Sequence, residues 1–348
     1  MKQRQLTTLT KHWQLSEPFV IARSARIDTD TIKVEIKENN KVGFGECVPT
    51  DHYDESIESV LTQIESVQPF IEQGISREQL QTLLPAGAAR NALDCALWDL
   101  EAKIKNTRVS VLLNVEEPEK ITTVQTISID TPENMGKSAA KLANYPYLKI
   151  KLNRDDIIER LTAVHQNAPH ATLLIDANES WDITLLKSII AQIVKIEHHV
   201  IPDKSMPVVL IEQPLPRGQD ELLHGLRSPI AIGADESCHT AADINYLSQF
   251  YDVINIKLDK CGGLTEALLM VDVAKLANVD VMIGCMVGSS LSMAPAMFIA
   301  LAAKFVDLDG PTLIEGDCDN NLCFNNGVIR ELPFPLWGGI TPREYIGS

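Results

Sequence analysis

The chain of 348 residues is 45% hydrophobic and carries 31 Lys and Arg against 47 Asp and Glu, which gives a formal net charge of −16. This acidic balance argues against nucleic acid and anionic membranes as partners, because both would be repelled. No segment reaches the length of about 18 apolar residues that crosses a membrane, and the N-terminus lacks a signal-peptide stretch. We therefore expect a soluble, cytoplasmic protein. Its seven cysteines, which show no CxxC spacing, should be reduced thiols.

The length exceeds that of a usual single domain, and residues 1–115 differ in pattern from the rest. The stretch TIKVEIKENNKVGFGEC, which begins at Thr31, alternates in strand fashion around an Asn-Asn turn. A helical pattern follows in AARNALDCALWDLEAKI, which begins at Ala88. No regular strand–helix rhythm is present in this part. We predict a small α+β domain for residues 1–115.

From Ile121 onwards, short apolar runs rich in β-branched residues alternate with stretches long enough for helices. The eight runs occupy residues 121–129, 147–152, 171–178, 208–214, 230–237, 253–259, 279–286 and 312–318. This alternation implies a parallel sheet buried on both faces, and eight such units indicate a closed barrel. The predicted fold class is therefore α/β, with a modified, TIM-like (β/α)8 barrel over residues 116–320. Residues 321–348 are expected to return to the first domain.

Polar residues follow nearly every run, where a barrel of this type places its chemistry. Runs three, four and five end in Asp176, Glu212 and Asp235. Each acid alone could be a helix N-cap or a turn residue, but three carboxylates on successive strands would repel one another without a cation. Oxygen ligands without His or Cys select a hard ion, and a small number of protein ligands favours Mg²⁺ over Ca²⁺. We predict one Mg²⁺ per subunit, held by these three acids.

Two lysines of run two, Lys149 and Lys151, are two residues apart and project to the same face of a strand. On an exposed edge strand such a pair would serve solubility, but this run is apolar and should be interior. Neighbouring ammonium groups close to a divalent cation depress the pKa of at least one lysine, as a base near neutral pH requires. Lys151 is predicted to be the base, and Lys149 to tune it or to contact a substrate carboxylate.

A third lysine, Lys257, ends run six, which lies four strands from run two in a ring of eight. Lys257 should therefore face Lys151 across the barrel mouth. One lysine can remove a proton from a substrate carbon and the other can return it on the opposite face, which inverts the stereocentre. If Lys257 did not face Lys151, we would interpret it as a solvated residue. That is our interpretation of Lys260.

Run eight carries Asp317 and Asp319, and strand eight lies opposite strand four. If a substrate carboxylate binds at the metal, these two acids meet the far end of the substrate, where an ammonium group is the expected partner. The alternative interpretation is a polar loop.

Several motifs together resemble the enolase superfamily, and within it the muconate-lactonizing subgroup. They are FGECVP, ALDCALWDLEAK, LKIKL, DANESW, IEQP, ADES and NIKLDKCGG. The resemblance implies that the N-terminal α+β domain is a capping domain and that the lysines act with Mg²⁺ through an enediolate. Asn178 and Glu236, which follow two of the predicted ligands, are expected to support them.

Two further segments narrow the resemblance. GCMVGSSLSMAPA, followed by the Asp-Cys-Asp of residues 317–319, is similar to the dipeptide epimerases, in which such a pair holds the α-ammonium group. This similarity implies a dipeptide substrate that also contacts Met286. EPFVIARSAR is similar to the capping loop of L-Ala-D/L-Glu epimerases, which implies that Arg23, or Arg26 as second choice, pairs with the glutamyl carboxylate. The implied reaction is epimerisation of L-Ala-D/L-Glu at the C-terminal α-carbon, in murein peptide metabolism.

Other functions remain open on sequence alone. An epimerase of cationic or hydrophobic dipeptides would keep the same barrel motifs. A cycloisomerase or an o-succinylbenzoate synthase would share the metal site and the lysines but would need no ammonium-binding pair of acids. A catalytically silent binding barrel should lack a ligand or a base, and none is missing here. A homo-oligomer is compatible with this architecture.

Overall fold

The N-terminal part of the chain is an antiparallel sheet covered by helices. A computed structural model describes residues 4–199 and 207–339, so residues 1–3, 200–206 and 340–348 of the predicted domains lie outside the described residues. The elements of this part are β1 (Arg4–Ile21), β2 (Ser24–Glu38), β3 (Lys41–Cys47), a 3-10 turn (Asp51–Tyr53), α1 (Ile57–Gln73), α2 (Arg77–Leu83), α3 (Ala88–Ile104) and α4 (Val109–Leu113). The strands pair in the order β1-β2-β3.

One face of β2 forms the core of this domain, as the alternating sequence predicts. Ile32, Val34 and Ile36 are completely buried and pack in one cluster with apolar residues of α1 and α3. Strand β3 lies directly against α3 because it has glycines where it meets the helix. A Cβ atom at Gly45 would lie 2.1 Å from the backbone oxygen of Ala92, so a side chain has no room there.

The second part is a parallel α/β barrel. A short strand outside the barrel sheet, β4 (Ile121–Thr122), precedes it. The barrel strands are β5 (Gln125–Ile127), β6 (Tyr147–Lys151), β7 (Thr172–Asp176), β8 (Val208–Glu212), β9 (Ala231–Ala234), β10 (Val253–Lys257), β11 (Asp280–Gly284) and β12 (Phe305–Val306). Its helices are α5 (Pro132–Lys141), α6 (Ile157–Asn167), α7 (Ile183–His199), α8 (Ala241–Leu247), α9 (Leu258–Cys261), α10 (Leu264–Ala277) and α11 (Ser290–Ala300), with 3-10 turns at Asp220–Leu223 and Gly310–Thr312. Two short strands, β13 (Phe324–Asn325) and β14 (Val328–Ile329), follow.

Strands β5 to β12 pair in sequence order in one eight-stranded sheet. The N–H of Val124 donates to the oxygen of Val306 at 2.9 Å, which joins the two edges of the sheet. The predicted TIM-like barrel with an N-terminal α+β domain is thus confirmed. Among the residues that the structure describes, no helix is long and apolar enough to span a membrane.

The predicted position of the eighth strand is wrong. The last strand of the sheet is Phe305–Val306, whereas residues 312–318 lie outside the sheet. In that segment Ile314 forms an isolated antiparallel bridge with Leu15 of β1 and packs with Leu15 and Trp13. The apolar residues of this run therefore cover the long β1–β2 hairpin instead of filling the barrel.

The segment after the barrel contacts both parts of the molecule. Strand β14 pairs antiparallel with β4. Further on, the buried indole of Trp337 donates from Nε1 to the backbone oxygens of Phe44 and Cys95, both at 3.1 Å. The Gly338 N–H donates to Asp99 at 2.5 Å. The last described residues, up to 339, therefore pack on β3 and α3 of the first domain.

The close approach of β3 to α3 makes Gly45 a sensitive position. We expect Gly45→Ala to lower the free energy of unfolding by about 1–3 kcal/mol, because the added methyl group forces the strand and the helix apart. Urea unfolding followed by circular dichroism measures this change. Lys37→Ala, on the exposed face of β2, is the matched control and should shift stability by less than about 0.5 kcal/mol. Equal stability of the Gly45 variant and the wild type would contradict the packing described.

Candidate active site

Charged residues stand at the carboxyl ends of neighbouring barrel strands. Lys149 and Lys151 lie on β6, Asp176 ends β7, Glu212 ends β8, Asp235 follows β9 and Lys257 ends β10. The parallel register sets Lys151 beside Asp176, and Asp176 beside Glu212. All of these side chains are buried although they are charged. Burial of this kind is costly unless opposite charges meet.

Lys149 is the common partner of three carboxylates. Its Nζ atom lies 2.6 Å from Glu212 Oε2, 2.7 Å from Asp307 Oδ2 and 3.1 Å from Asp176 Oδ2. The residue is 1% exposed. Burial alone would lower the pKa of Lys149, but the three carboxylates outweigh it and raise that pKa well above the ordinary value. Lys149 therefore stays protonated.

Lys151 and Lys257 approach one cavity from different strands. Lys151 Nζ lies 2.7 Å from Asp176 Oδ2, and Lys257 Nζ lies 2.6 Å from Asp235 Oδ2. Both lysines line a cavity of about 110 Å³, to which Met286 also contributes. The structure thus brings the two predicted acid/base groups to the same space.

The electrostatics of Lys257 differ from the expectation of a depressed lysine pKa. Burial lowers the pKa of Lys257, but the Asp235 carboxylate at 2.6 Å more than compensates and raises it above its ordinary value. The same contact acts on the acid: although burial opposes ionisation, Lys257 and Lys260 hold the pKa of Asp235 well below its usual range. With these ion pairs formed, Lys257 is an ammonium group.

The predicted metal ligands fit a hard cation. Asp176, Glu212 and Asp235 are completely or almost completely buried and offer oxygen atoms only. Burial, with the nearby Asp176 and Asp235, raises the pKa of Glu212 to about 8. Its Oε2 atom lies 2.6 Å from Lys149 Nζ yet receives no well-directed hydrogen bond. A carboxylate that is buried, crowded by other acids and incompletely hydrogen-bonded is suited to a metal ligand.

A second group of polar residues lies at the rim of the cavity. His52, Glu179 and Glu236 offer ligand atoms within 4.8 Å of one another. The guanidinium of Arg23, however, lies 2.8 Å from Glu236 and 3.7 Å from Glu179, and His52 Nε2 lies 2.9 Å from Glu179. The protein's own cation therefore neutralises this rim cluster, which is separate from the three predicted metal ligands.

Asn178 links the rim to the predicted ligands. Its N–H donates to Asp176 Oδ1 at 2.9 Å, and its side-chain amide donates to Glu236 Oε1 at 3.3 Å. Asn178 and Arg23 both line the cavity of the lysines, as does Arg26. Arg23 lies at the tip of the β1–β2 hairpin, so this hairpin carries a basic group into the site.

Asp317 and Asp319 do not lie at the barrel mouth. Asp317 accepts the N–H and the hydroxyl of Ser290 at 2.8 Å and 2.5 Å, and thereby caps the start of α11. Asp319 is exposed. Both acids line a different cavity beside Trp13 of the first sheet. Their predicted position at the end of strand eight is wrong, because the last strand of the sheet is Phe305–Val306 and the run before Asp317 packs on β1 instead.

Two other acids occupy the end of the eighth strand. Asp307 and Asp309 follow β12 directly and are buried. Asp309 accepts the N–H of Thr126 at 2.6 Å, and burial together with Asp307 raises the pKa of Asp309 to about 7. The sequence did contain a signal for them: Phe305 and Val306 followed by Asp-Leu-Asp are a short strand with polar residues at its end.

Comparisons with known proteins cover nearly the whole chain. Residues 3–114 match the mandelate racemase / muconate lactonizing enzyme N-terminal domain, and residues 134–329 match the enolase C-terminal domain-like family. Over 329 residues the chain is 42% identical to the L-Ala-D/L-Glu epimerase of Escherichia coli K12. The aligned residues cover 94% of this chain and 99% of that relative. Over 317 residues it is 44% identical to the N-acetyl-D-glutamate racemase of a Pseudoalteromonas species. This alignment covers 90% of this chain and 96% of that racemase.

Solved structures of related proteins have the same fold as this chain. An enolase family member of Agrobacterium tumefaciens with homology to dipeptide epimerases, crystallised with sodium and L-Ala-L-Glu, superposes with a TM-score of 0.91 at 40% identity, covering 96% of this chain and 100% of the other. The dipeptide epimerase of Enterococcus faecalis, complexed with Mg and L-Leu-L-Tyr, gives 0.87 at 27% identity, with 97% and 99% covered. The chain therefore belongs to the mandelate racemase and muconate lactonizing enzyme family of the enolase superfamily, and it is an isomerase of the epimerase and racemase type.

Proposed function

We propose that the protein epimerises a dipeptide at the α-carbon of its C-terminal residue, and that L-Ala-D/L-Glu is its substrate. The observation that carries the proposal is the placement of Lys151 and Lys257. They stand on strands four apart, face one cavity and each contact one of the predicted metal ligands. A substrate held between them exposes opposite faces of its α-carbon to the two lysines.

Mg²⁺ is the proposed cofactor, with Asp176, Glu212 and Asp235 as its ligands. Bound there, the ion supplies positive charge beside the substrate carboxylate and so acidifies the adjacent α-proton. Support comes from the all-oxygen donor set and from the related dipeptide epimerase that was crystallised with Mg.

The lysines perform the proton transfers in this proposal. Once Asp235 serves as a ligand, its carboxylate holds the proton on Lys257 less strongly, and the pKa of that lysine falls towards the range that a base requires. One lysine then takes the α-proton, and the other delivers a proton to the opposite face. Lys149 keeps its proton and balances the charge of the surrounding acids.

Arg23 is proposed to bind the side-chain carboxylate of the glutamyl residue. It lines the cavity, and its side chain is 31% exposed, so it is accessible to a ligand. The guanidinium lies 2.8 Å from the Glu236 carboxylate. A substrate carboxylate would offer the same charge and the same hydrogen-bond geometry.

The far end of the dipeptide requires a partner for its ammonium group. Asp307 and Asp309 at the end of β12 replace Asp317 and Asp319 in this proposed role. An adjacent ammonium group would lower the raised pKa of Asp309, so a dipeptide would relieve the crowding of the two acids.

A second candidate is racemisation of an N-acyl glutamate such as N-acetylglutamate, which has no ammonium group. The observation that favours it is the engagement of both acids within the protein: Asp307 pairs with Lys149 at 2.7 Å, and Asp309 accepts the Thr126 N–H at 2.6 Å. Among the described residues that line the cavity, Asp28 is the only acid. An N-acyl glutamate would leave these internal contacts undisturbed.

A substrate panel in deuterium oxide separates these candidates. We expect incorporation of one deuterium and formation of the epimer with L-Ala-L-Glu, measured by mass spectrometry and chiral chromatography. N-acetyl-L-glutamate, L-Ala-L-Leu and L-Ala-L-Lys are the comparison substrates. Faster exchange with N-acetyl-L-glutamate would favour the second candidate, and faster exchange with the leucyl or lysyl dipeptide would reassign the side-chain specificity. Absence of exchange in every compound would argue for a binding barrel or for cycloisomerase-type chemistry.

The two-base scheme makes a prediction for the lysines. Lys151→Ala and Lys257→Ala should each reduce epimerisation at least about 100-fold, because each removes one of the two proton-transfer groups. One variant should still exchange the α-proton of a single enantiomer with solvent deuterium. Lys304→Ala is the control, since Lys304 is 54% exposed and pairs with Asp280 at the start of β11. Near-normal turnover in either active-site variant would contradict two-base catalysis.

The role of Arg23 is tested against Arg26 on the same hairpin. Hydrogen bonds to charged groups contribute about 1.5–3 kcal/mol, so Arg23→Gln should raise KM for L-Ala-L-Glu about tenfold to a hundredfold. Arg26→Gln should leave it within about twofold. Steady-state kinetics with L-Ala-L-Glu and L-Ala-L-Leu measure the effect, which should be absent for the leucyl dipeptide. If the two arginine variants behave alike, Arg23 does not read the glutamyl carboxylate.

A further inference from the structure

Lys260 is a buried ammonium group beside the proposed metal site, so the prediction that it is solvated is wrong. It is 2% exposed. Its Nζ atom lies 2.6 Å from Asp235 Oδ1 and 2.5 Å from the backbone oxygen of the same residue. The backbone oxygens of Cys238 and Asn255 lie at 2.9 Å and 3.1 Å. An ammonium has three donors, so these four oxygen atoms satisfy it completely.

The position of Lys260 is fixed by the first domain. Helix α9 begins directly after Lys257 and is followed by Gly262 and Gly263, which have φ angles of +87° and +111°. A Cβ atom at Gly262 would lie 2.3 Å from Arg90 Nε of α3. The same arginine donates to the backbone oxygens of residues 261 and 262 at 2.5 Å and 3.2 Å. The short turn that carries Lys260 is therefore held by a helix of the capping domain.

The two oxygen atoms of Asp235 are divided between two lysines. Lys260 contacts Oδ1 and Lys257 contacts Oδ2, each at 2.6 Å. Since Lys260 also bonds the main-chain oxygen of Asp235, it fixes both the backbone and the plane of the carboxylate. The remaining oxygen, Oδ2, is directed to the lysine that lines the cavity.

We propose that Lys260 is a positioning residue for Asp235, which it orients so that one carboxylate oxygen is presented to the metal and to Lys257. This inference rests on the proposed metal site. Lys260 acts through Asp235, since its ammonium is saturated by four oxygen atoms, two of them from Asp235, and Lys260 does not line the cavity.

The proposal and a simple charge effect predict opposite changes in metal affinity when Lys260 is replaced. Removing a positive charge near a divalent ion would tighten metal binding if Lys260 acted only through its field. Removing an orienting partner weakens metal binding, and loss of such partners typically costs about 10- to 100-fold in affinity. The direction of the change in metal affinity therefore separates the two roles.

The experiment is a titration of metal-free, full-length protein with Mn²⁺, in which the electron paramagnetic resonance signal reports free metal. We expect Lys260→Met to raise the Kd for Mn²⁺ about 10- to 100-fold, while Lys304→Met leaves it within about twofold. Lys260→Gln, which keeps a side-chain donor for the carboxylate, should show a smaller increase. Circular dichroism of each variant reports folding. If the methionine variant does not fold, the Kd of the glutamine variant for Mn²⁺ tests the proposal.

A double-mutant cycle tests whether Lys260 acts through Asp235. In the background of Asp235→Asn, the further change Lys260→Met should alter the Kd by less than about twofold, because the group it orients has already been changed. An unchanged or lower Kd in the folded single variant, or a full additional loss in the double variant, would overturn the positioning role. Wild-type protein that binds no Mn²⁺ would instead overturn the proposed metal site and this inference with it.

Discussion

The balance of buried charge at the carboxyl ends of the barrel strands is the constraint on which the site depends. Lys149 alone contacts acids of three different strand ends, on β7, β8 and β12. Its ammonium offsets a repulsion that would otherwise force these acids to protonate or move apart. The arrangement of acids and lysines is therefore one unit, and a change at any member alters the pKa of the others.

This unit is connected to the N-terminal domain by hydrogen bonds and not by apolar contacts alone. Arg90 on α3 donates to the turn that follows β10, and Asp259 in that turn accepts the N–H of Val48 at 3.0 Å. Glu46 of β3 accepts the N–H and hydroxyl of Ser289, ahead of α11. Burial raises the pKa of both Glu46 and Asp259 to about 7. The N-terminal domain thus helps to position the segments that follow β10 and β11.

Much of the site could be predicted from sequence because its residues end strands with strong apolar patterns. Five-residue runs such as Thr172–Asp176 and Val253–Lys257 are unambiguous, so Asp176 and Lys257 follow from counting strands. The eighth strand has only two residues, and a longer apolar run nearby packs on the β1–β2 hairpin. Local pattern cannot distinguish these tertiary environments. The burial of Lys260 likewise depends on its contacts with Asp235 and Cys238, which follow β9 and are more than 20 residues away in the chain, so local spacing does not encode it.

Charge neutrality bears on how the lysines can work. Four acids lie within ion-pair distance of four buried lysines. The acids are Asp176, Glu212, Asp235 and Asp307, and the lysines are Lys149, Lys151, Lys257 and Lys260. A divalent cation and a substrate carboxylate together would add one positive charge. Release of one proton from the site would restore neutrality. Burial and the nearby Asp176 and Asp235 raise the pKa of Glu212 to about 8, so a bound cation would displace a proton from this acid. The lysines of the proposed two-base scheme therefore belong to a site in which the acids also take part in balancing charge.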